Sequence, residues 1–419
     1  MIAVRTRAWW RATLALCLGS FLVFINLYAP QPLLPALRET YEVSTLGTSL
    51  VMSVATLALA ASLLLFGPLS DAIGRDAIMR LTLLAAGLLS LGLAFAPNFE
   101  TLLAMRALQG FVLGGLPAVA IAWMGDEFER PALLSAVGFY IGANSLGGIS
   151  GRVVGGAVAE VGGAPVSFLV VGAMTLGGLL LFWKLLPPAR AFTPRHFELR
   201  SALADLGGHL GNPLLLGAYL LGGLNFLIFI NQYSYITFRL AEAPFGLGTR
   251  TLGLIFLTYL GGTLGSSLSG RLASRWSQPV CMMLGIMMLF GGTAVTLAGS
   301  LAWIITGLTL NAFGFFLAHA MASSWVGRRA RSARGSASAL YLVFYYTGAS
   351  LGGFWLEPFW RIAGWDGVAL ASWLILAVTL GLAAWLWRCE CREHQEAELA
   401  PASLPQTSSR RSTRPQADL

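Results

Sequence analysis

The sequence predicts an all-α membrane protein with twelve transmembrane helices, and three observations support this prediction. First, 56% of the 419 residues are hydrophobic and only 11% are charged, a balance far more apolar than that of soluble domains. Second, apolar runs of about 20 residues, enough to cross a roughly 30 Å hydrocarbon layer as a helix, recur along almost the whole chain. Third, the basic residues gather in alternate connections between these runs. A soluble fold is therefore excluded.

We number the apolar runs span 1 to span 12 in chain order. The first, residues 9–29, leads into three prolines without the small-residue cleavage site of a signal peptide, so we take it as a transmembrane helix. The other eleven cover residues 46–66, 77–96, 101–124, 132–158, 165–186, 213–237, 251–271, 279–299, 302–325, 336–357 and 367–388. Each is long enough to cross a bilayer once.

The net charge of +8 reflects membrane topology rather than nucleic-acid binding. If the N-terminus is cytoplasmic, only four basic residues lie in outside loops, namely Arg38, Arg239, Arg250 and Arg361. Two more, Arg106 and Arg152, lie deep within spans, which leaves 21 of the 27 Lys and Arg residues in the inner connections or at the inner ends of spans. Because inner loops carry the excess of Lys and Arg, we expect both termini in the cytoplasm and a lipid bilayer around the protein. No nucleic-acid partner is expected.

The chain divides into two similar halves. YIGANSLGG at residues 140–148 and YYTGASLGG at residues 345–353 superpose at an offset of 205 residues. We therefore expect an N-terminal six-helix bundle (1–186), a cytoplasmic central loop (187–212) and a C-terminal six-helix bundle (213–390). Residues 391–419 contain few hydrophobic residues and should form a disordered cytoplasmic tail. Parallel repeats of this kind place a substrate site between the bundles, near the middle of the membrane.

A loop signature between spans 2 and 3 reads Gly67-Pro-Leu-Ser-Asp71-Ala-Ile-Gly74-Arg75. It resembles the signature of the major facilitator superfamily, whose members share the fold of two six-helix bundles. The resemblance implies a conformational latch: Gly67 permits close approach of spans 2 and 11, and Asp71 pairs with Arg75 and faces a helix N-terminus. The second half carries a degenerate copy of this signature, which keeps Arg275 but has serine in place of the aspartate. We expect only the first latch to be ionic.

Span 4 contains Arg106-Ala-Leu-Gln109-Gly, which resembles the helix-four motif of drug and sugar antiporters. Charge at membrane depth is costly, so such an arginine usually faces the bundle interior or a wet cavity. The resemblance gives Arg106 and Gln109 a part in proton coupling. The alternative is a structural role, in which the arginine snorkels to the surface or bonds helix-end carbonyls.

Span 5 carries glycines that fit the antiporter signature of the superfamily, with Arg152 standing where that signature has proline. The glycines are Gly138, Gly147, Gly151, Gly155 and Gly156. The resemblance implies that spans 5 and 8 seal the outer side of the bundle interface, a property associated with exporters. Three of these glycines lie four residues apart and form a stripe that lets another backbone come close. We expect its partner to be the stripe of Gly261, Gly265 and Ser269 on span 8.

Polar residues within the spans are the candidates for cavity lining and proton transfer. They include Asn26, Asn144, Asn225, Asn231, Asn311 and His319. Because imidazole titrates near neutral pH, His319 could carry the coupled proton, or it could simply bond a neighbour. Asp126 and Glu127, at the inner end of span 4, are rival acceptors or a solvated helix end.

The charges at membrane depth are mostly basic, with Arg106 and Arg152 against one clear acid, Glu357. A carrier for organic cations would be expected to bury acids, so we expect a neutral or anionic substrate. Alternatively, Arg152 is neutralised structurally, either by Glu357 or by Asn144 and backbone carbonyls.

Taken together, phrases such as QPLLPAL (31–37), NSLGGISGR (144–152) and SSWVGRRARSARG (323–335) most resemble YnfM-type major facilitator transporters. The resemblance implies a monomeric secondary active transporter of the bacterial inner membrane, which drives efflux of a small organic molecule with protons by alternating access. No cofactor or metal is implied. One alternative is a proton-coupled uptake symporter for a neutral or anionic solute. A membrane enzyme is a distant alternative, because we find no His-x-x-x-His pair and no carboxylate cluster at membrane depth.

Overall fold

The computed structural model describes residues 1–189, 199–330 and 334–399, and α-helices form almost all of these ranges. The first half contains α1 (Arg7–Tyr28), α2 (Leu34–Tyr41), α3 (Thr45–Ile73), α4 (Arg75–Leu93), α5 (Phe99–Leu113), α6 (Gly115–Glu127) and α7 (Arg130–Leu185). The second half contains α8 (Leu199–Leu210), α9 (Pro213–Ala241), α10 (Thr249–Ile255), α11 (Tyr259–Ala273), α12 (Gln278–Val295), α13 (Leu301–Arg329) and α14 (Arg334–Leu399). The predicted all-α class is confirmed.

Ten helical stretches of the described chain are long and apolar enough to cross a membrane. Two of them are too long for one crossing: α7 has 56 residues and α14 has 66, which at 1.5 Å per residue is about 84 Å or more. Each is broken by a glycine with positive φ, Gly163 at 75° and Gly364 at 55°, a conformation that glycine adopts without a steric penalty. Each therefore contains two spans, which gives the predicted twelve.

The two halves pack in the same way, as the sequence repeat predicts. Span 5 lies against span 1 so closely that a β-carbon on Gly147 would stand 2.5 Å from the carbonyl oxygen of Phe21. Span 11 lies against span 7 in the same manner, with Gly352 facing the carbonyl of Leu227 at the same distance. Gly147 and Gly352 are related by the offset of 205 residues.

Two predicted boundaries differ from the structure. The central connection, predicted as a loop over 187–212, contains the helix α8, and residues 190–198 lie outside the described part. The predicted tail begins too early, because α14 continues to Leu399 through a segment rich in Glu, Gln, Ala and Leu, which are good helix formers. Glu393 in this extension pairs with Arg329 at the end of span 10. The rest of the tail, 400–419, also lies outside the described residues.

The halves meet at one end of the bundle, which we call the far end because it lies opposite the N-terminus and the connection between spans 2 and 3. There, Gln31 donates hydrogen bonds to the Ile230 carbonyl (3.1 Å) and the Ser234 hydroxyl (3.0 Å). Arg38 forms an ion pair with Glu242 at 2.8 Å. All of these contacts join one half to the other, so the far end is closed.

At the opposite end, which we call the near end, the glycines of spans 2 and 11 lack close neighbours among the described residues. A β-carbon on Gly67 of span 2 or on Gly335 of span 11 would meet no described atom within 4 Å. The same holds for Gly138 and Gly142 near the start of span 5. The close approach of spans 2 and 11 that was expected at Gly67 is therefore not seen among the described residues, which leave out 331–333 just before span 11.

Candidate functional site

A cavity of about 460 Å³ lies between the two halves, from the middle of the bundle towards the near end. Spans 1, 5, 8, 10 and 11 form its walls. The lining residues are Phe24, Tyr28, Ile141, Asn144, Ser145, Gly148, Ile149, Arg152, Tyr259, Thr263, Ser266, Phe316, His319, Ala320, Ser323, Ser324, Leu342, Tyr345 and Tyr346. Arg152 carries the one formal charge in this lining, and six of the residues have aromatic rings besides His319.

Arg152 closes the cavity towards the far end and is only 1% exposed. Its Nε donates to Oε1 of Gln31 at 2.7 Å, and its Nη1 donates to the Gly148 carbonyl at 2.9 Å. Its Nη2 lies 3.4 Å from the hydroxyl of Tyr259, which belongs to the other half. Since Gln31 also bonds span 7, Arg152 sits at the junction where both halves close.

Aromatic rings surround the Arg152 guanidinium. Its central carbon lies 4.0 Å from the ring centre of Tyr28, 4.6 Å from that of Tyr259 and 4.7 Å from that of Phe256. Such cation–π contacts stabilise a buried cation by about 0.5–2 kcal/mol each. Among the described residues, neutral groups alone thus hold the charge, which allows an arginine to lie at this depth.

The expected neutralisation of Arg152 by Glu357 or Asn144 is wrong. Glu357 accepts a hydrogen bond from Tyr235 at 2.9 Å and lies in a separate pocket at the far end. Asn144 is bonded to Ser20 of span 1. Only the backbone-carbonyl part of the expectation is met, through Gly148. Arg152 and Glu357 occupy equivalent positions in the two repeats, 205 residues apart in the sequence, and Glu357 bonds Tyr235 within its own half.

Arg106 is fully buried and bonded to backbone carbonyls. Its Nη2 donates to Leu27 at 3.1 Å, its Nη1 to Asn26 at 3.3 Å and its Nε to Val51 at 3.2 Å. Gln109 accepts a further bond from Nη1 at 2.5 Å. These contacts tie spans 1, 2 and 4 together and satisfy the carbonyls where span 1 ends, as the structural alternative for this arginine predicts. Neither Arg106 nor Gln109 lines the cavity.

Four of the predicted cavity residues, Asn26, Asn225, Asn231 and Asn311, are absent from its lining. Asn26 donates to Thr175 of span 6 at 2.6 Å, and Asn231 donates to the Ala349 carbonyl of span 11 at 2.8 Å. Asn26 and Asn231 thus point between helices of their own half, where polar groups hold helices together. Their prediction as cavity lining is therefore wrong for this conformation, whereas Asn144, Arg152 and His319 do line the cavity.

His319 lies in the cavity wall, on the other half of the protein from Arg152. The sequence alternative in which it bonds a neighbour is seen, and its role in proton transfer stays a prediction. Its Nδ1 is 3.0 Å from the hydroxyl of Tyr341. Its ring lies 4.7 Å from that of Tyr345 and is stacked on Phe315. The imidazole is thus hydrogen-bonded to a neighbour and also faces the cavity.

The glycine stripe of span 5 packs on span 1, not on span 8 as expected. β-Carbons on Gly147, Gly151 and Gly155 would stand 2.5–2.7 Å from three backbone carbonyls of span 1 that are four residues apart, those of Phe21, Ile25 and Ala29. The expected partner stripe faces span 10 instead, with Gly261 against Thr309 and Gly265 against Phe313. A stripe of small residues shows where a neighbouring backbone can approach, but it does not show which helix supplies that backbone.

Spans 5 and 8 nevertheless meet at the far end, through a different face. Gly156 packs on the backbone of Thr249, and Gly253 packs on the carbonyl of Arg152. The carboxylate of Glu160 accepts hydrogen bonds from the Thr249 hydroxyl (2.9 Å) and the Arg250 amide (3.2 Å), at the first turn of α10. The hydrogen bond from the Arg250 amide is the main reason why the pKa of Glu160 is lowered from its ordinary value. Glu160 therefore caps a helix of the other half.

The loop signature takes part in an ion pair that was not expected, while the expected pair of Asp71 with Arg75 stays a prediction. Arg75 pairs with Asp126 at the end of span 4, at 2.9 Å, so Asp126 is more than a solvated helix end. The side chain of Asp71 lies outside the described residues. Gly74 has φ 99°, which favours glycine at this break between α3 and α4. In the second half, Arg275 is exposed in the turn after α11 and belongs to none of the ion pairs of the described chain.

Four residues around Arg152 were not predicted from sequence: Gln31, Tyr28, Phe256 and Tyr259. The predicted candidates were polar groups in the middle of spans, whereas Gln31 follows the proline break of span 1 and the other three are aromatic. A buried arginine needs acceptors and ring faces, so tyrosines on neighbouring spans were the available signal.

A polar, partly aromatic cavity between two similar six-helix halves defines a membrane transporter. The sequence pattern described as Major Facilitator Superfamily matches residues 16–353. The chain therefore belongs to that superfamily.

Individual proteins agree with this assignment. The chain is 38% identical over 378 residues to an uncharacterized MFS-type transporter, YybF, of Bacillus subtilis (strain 168), covering 90% of this chain and 94% of that one. It is 35% identical over 383 residues to the inner membrane transport protein YnfM of Escherichia coli (strain K12), covering 90% and 91%. Among solved structures, a bacterial homologue of the human lysosomal transporter Spinster, in an inward-facing and unoccupied conformation, matches with a TM-score of 0.72 at 17% identity, covering 95% of this chain and all of that one.

Proposed function

We propose that the protein is a proton-coupled secondary active transporter that exports a small neutral or anionic organic compound across the bacterial inner membrane. The observation that carries this proposal is the cavity between the halves, closed at the far end and bordered by loosely packed helices at the near end. Such an arrangement is one state of an alternating-access cycle.

The proposed orientation places the near end and both termini in the cytoplasm. It rests on the excess of Lys and Arg in the connections at that end. In this orientation the cavity of the present conformation would load from the cytoplasm, as the first step of export requires. The closure of spans 5 and 8 at the far end supports the same direction.

Proton coupling needs a titratable group that faces the cavity in one state and is shielded or reoriented in another. His319 meets the first condition, because it lies in the cavity wall and bonds Tyr341. We therefore propose His319 as the proton carrier. The contacts of Arg106 favour a structural role for that residue instead.

A growth screen tests the function. An efflux-deficient strain that expresses the protein is grown against many compounds, and any compound tolerated better than by the empty-vector strain is then followed by flux in whole cells. Export predicts lower accumulation in expressing cells, and an uncoupler should abolish the difference. Greater accumulation in expressing cells would instead favour the uptake symporter.

A further inference from the structure

The environment of Arg152 identifies the chemical class of the compound that the cavity binds. We propose that Arg152 recognises the anionic group of a flat aromatic monoanion, such as a carboxylate or a sulfonate. Only the statement that this compound is transported rests on the proposed function. The recognition itself can be measured at equilibrium.

Charge is the first ground for this inference. Among the described residues, the cavity lining holds one formal cation and no carboxylate. The ion pairs of the described chain join Arg38 with Glu242, Arg75 with Asp126, Arg80 with Asp76, and Arg329 with Glu393, and none includes Arg152. Charges interact strongly where water is scarce. A bound anion would supply the missing countercharge, whereas a bound cation would be repelled.

The hydrogen-bonding capacity of the guanidinium is the second ground. Arginine has five N–H donors in a planar fork, two on each Nη. The structure gives Nη1 one acceptor, Gly148, and gives Nη2 one acceptor, Tyr259, at 3.4 Å. This second bond is long, beyond the usual range for N–H···O. The guanidinium therefore keeps N–H donors that can form hydrogen bonds to two oxygens of a carboxylate or sulfonate.

The walls give the third ground, which concerns shape. Tyr28 and Tyr259 flank the guanidinium, and Phe24, Phe316 and Tyr345 continue the aromatic lining beyond it. Flat rings stack on one another with offset or edge-on geometry. A cavity of about 460 Å³ has the size of a typical small-molecule pocket. A ring system that bears one anionic group fits both the walls and the arginine.

Recognition by Arg152 would also act on the closure of the far end. Tyr259 belongs to the second half, and its bond to Nη2 is one of the contacts that join the halves. An anion that takes over Nη2 would replace this contact. Ligand binding and weakening of the far-end closure would then occur in the same step.

Matched probes test the inference on the purified full-length protein in detergent. The probes are 2-naphthalenesulfonate, which is permanently anionic, the neutral 2-naphthalenesulfonamide, and the cation 2-naphthyltrimethylammonium. Binding is measured as the ligand-dependent rise in thermal unfolding temperature over a concentration series. We expect the sulfonate to bind the wild-type protein at least about tenfold more tightly than the sulfonamide, because hydrogen bonds between charged groups strengthen binding by about this factor relative to neutral ones.

Arg152→Gln should lower sulfonate affinity by about tenfold or more and lower sulfonamide affinity by a much smaller factor, because the sulfonamide carries no charge. Retained sulfonamide binding shows that the variant is folded. If Arg152→Gln does not fold, Arg152→Lys replaces it: the charge remains but the planar fork is lost, so an intermediate sulfonate affinity is expected. A wild-type protein that binds the three probes equally or prefers the cation would overturn the inference, as would a folded variant with full sulfonate affinity.

The two proposals fail in different ways. A protein that binds the sulfonate but moves no solute in response to a proton gradient would contradict the proposed function and leave the recognition by Arg152 standing. A protein that exports neutral compounds with the proton gradient but binds the sulfonate no more tightly than the sulfonamide would contradict the recognition by Arg152 alone.

Discussion

Replacing Gly151 by alanine should destabilise the protein, whereas the same change at Gly138 should not. The antiporter signature treats these two glycines alike. The structure separates them, because a β-carbon at position 151 would lie 2.7 Å from the Ile25 carbonyl oxygen and 2.9 Å from its Cα. A β-carbon at position 138 would have no described atom within 4 Å.

The magnitude follows from the clash. Ordinary contacts of a β-carbon begin at 3.4 Å, so spans 1 and 5 would have to separate by about 0.7 Å. Both obstructing atoms belong to the backbone and cannot rotate away. Overpacking of this kind costs about 1–3 kcal/mol. Gly138→Ala should be neutral or slightly stabilising, because alanine is the better helix former.

Thermal unfolding of the two variants in the same detergent measures the difference. We expect a clearly lower unfolding temperature for Gly151→Ala and an unchanged or higher one for Gly138→Ala, with Gly142→Ala as a second control at an open position. Equal loss of stability in both variants, or a larger loss at Gly138, would refute the packing of span 5 on span 1.

Three further predictions concern ionisable groups. Asp126→Asn should reduce transport but change the free energy of unfolding by less than about 1 kcal/mol, because its ion pair with Arg75 is partly exposed; flux and unfolding of one preparation check both. Glu160→Gln should weaken the far-end closure, seen as longer distances between spin labels on spans 5 and 8. The pKa of Glu160 is lowered in the folded protein. The far-end closure of the wild-type protein should therefore be complete above the ordinary pKa of a glutamate and should weaken as the pH falls through the lowered pKa of Glu160. Equal pH responses in the wild-type protein and Glu160→Gln would contradict this role of Glu160. His319→Gln should keep sulfonate binding but make flux insensitive to the pH gradient; unchanged proton dependence would exclude His319 as the carrier.

Hydropathy predicted the twelve spans well, because each span must be apolar to enter the bilayer. The repeat was also predictable, since the segments that begin at Tyr140 and Tyr345 keep similar sequences and make equivalent contacts in both halves. The end of α14 was less predictable, because polar helix formers after the last span resemble a disordered tail in composition.

The sequence did not show which helix or side chain each of these residues contacts. The stripe of Gly147 and Gly151 indicates close packing but fits any neighbouring backbone. An asparagine such as Asn26 looks the same whether it faces a cavity or another helix. The surroundings of Arg152 come from spans 1, 5 and 8, so only the folded arrangement shows that rings and Gln31, rather than Glu357, hold its charge.

Inverted membrane vesicles provide the measurement that tests proton-driven export most directly. Vesicles from expressing cells are energised, and the uptake of a compound identified by the growth screen is followed before and after an uncoupler. We predict accumulation on energisation and release by the uncoupler, with neither in vesicles that lack the protein. Uptake that does not depend on the proton gradient, or energy-dependent transport of the compound out of the inverted vesicles, would contradict proton-driven export.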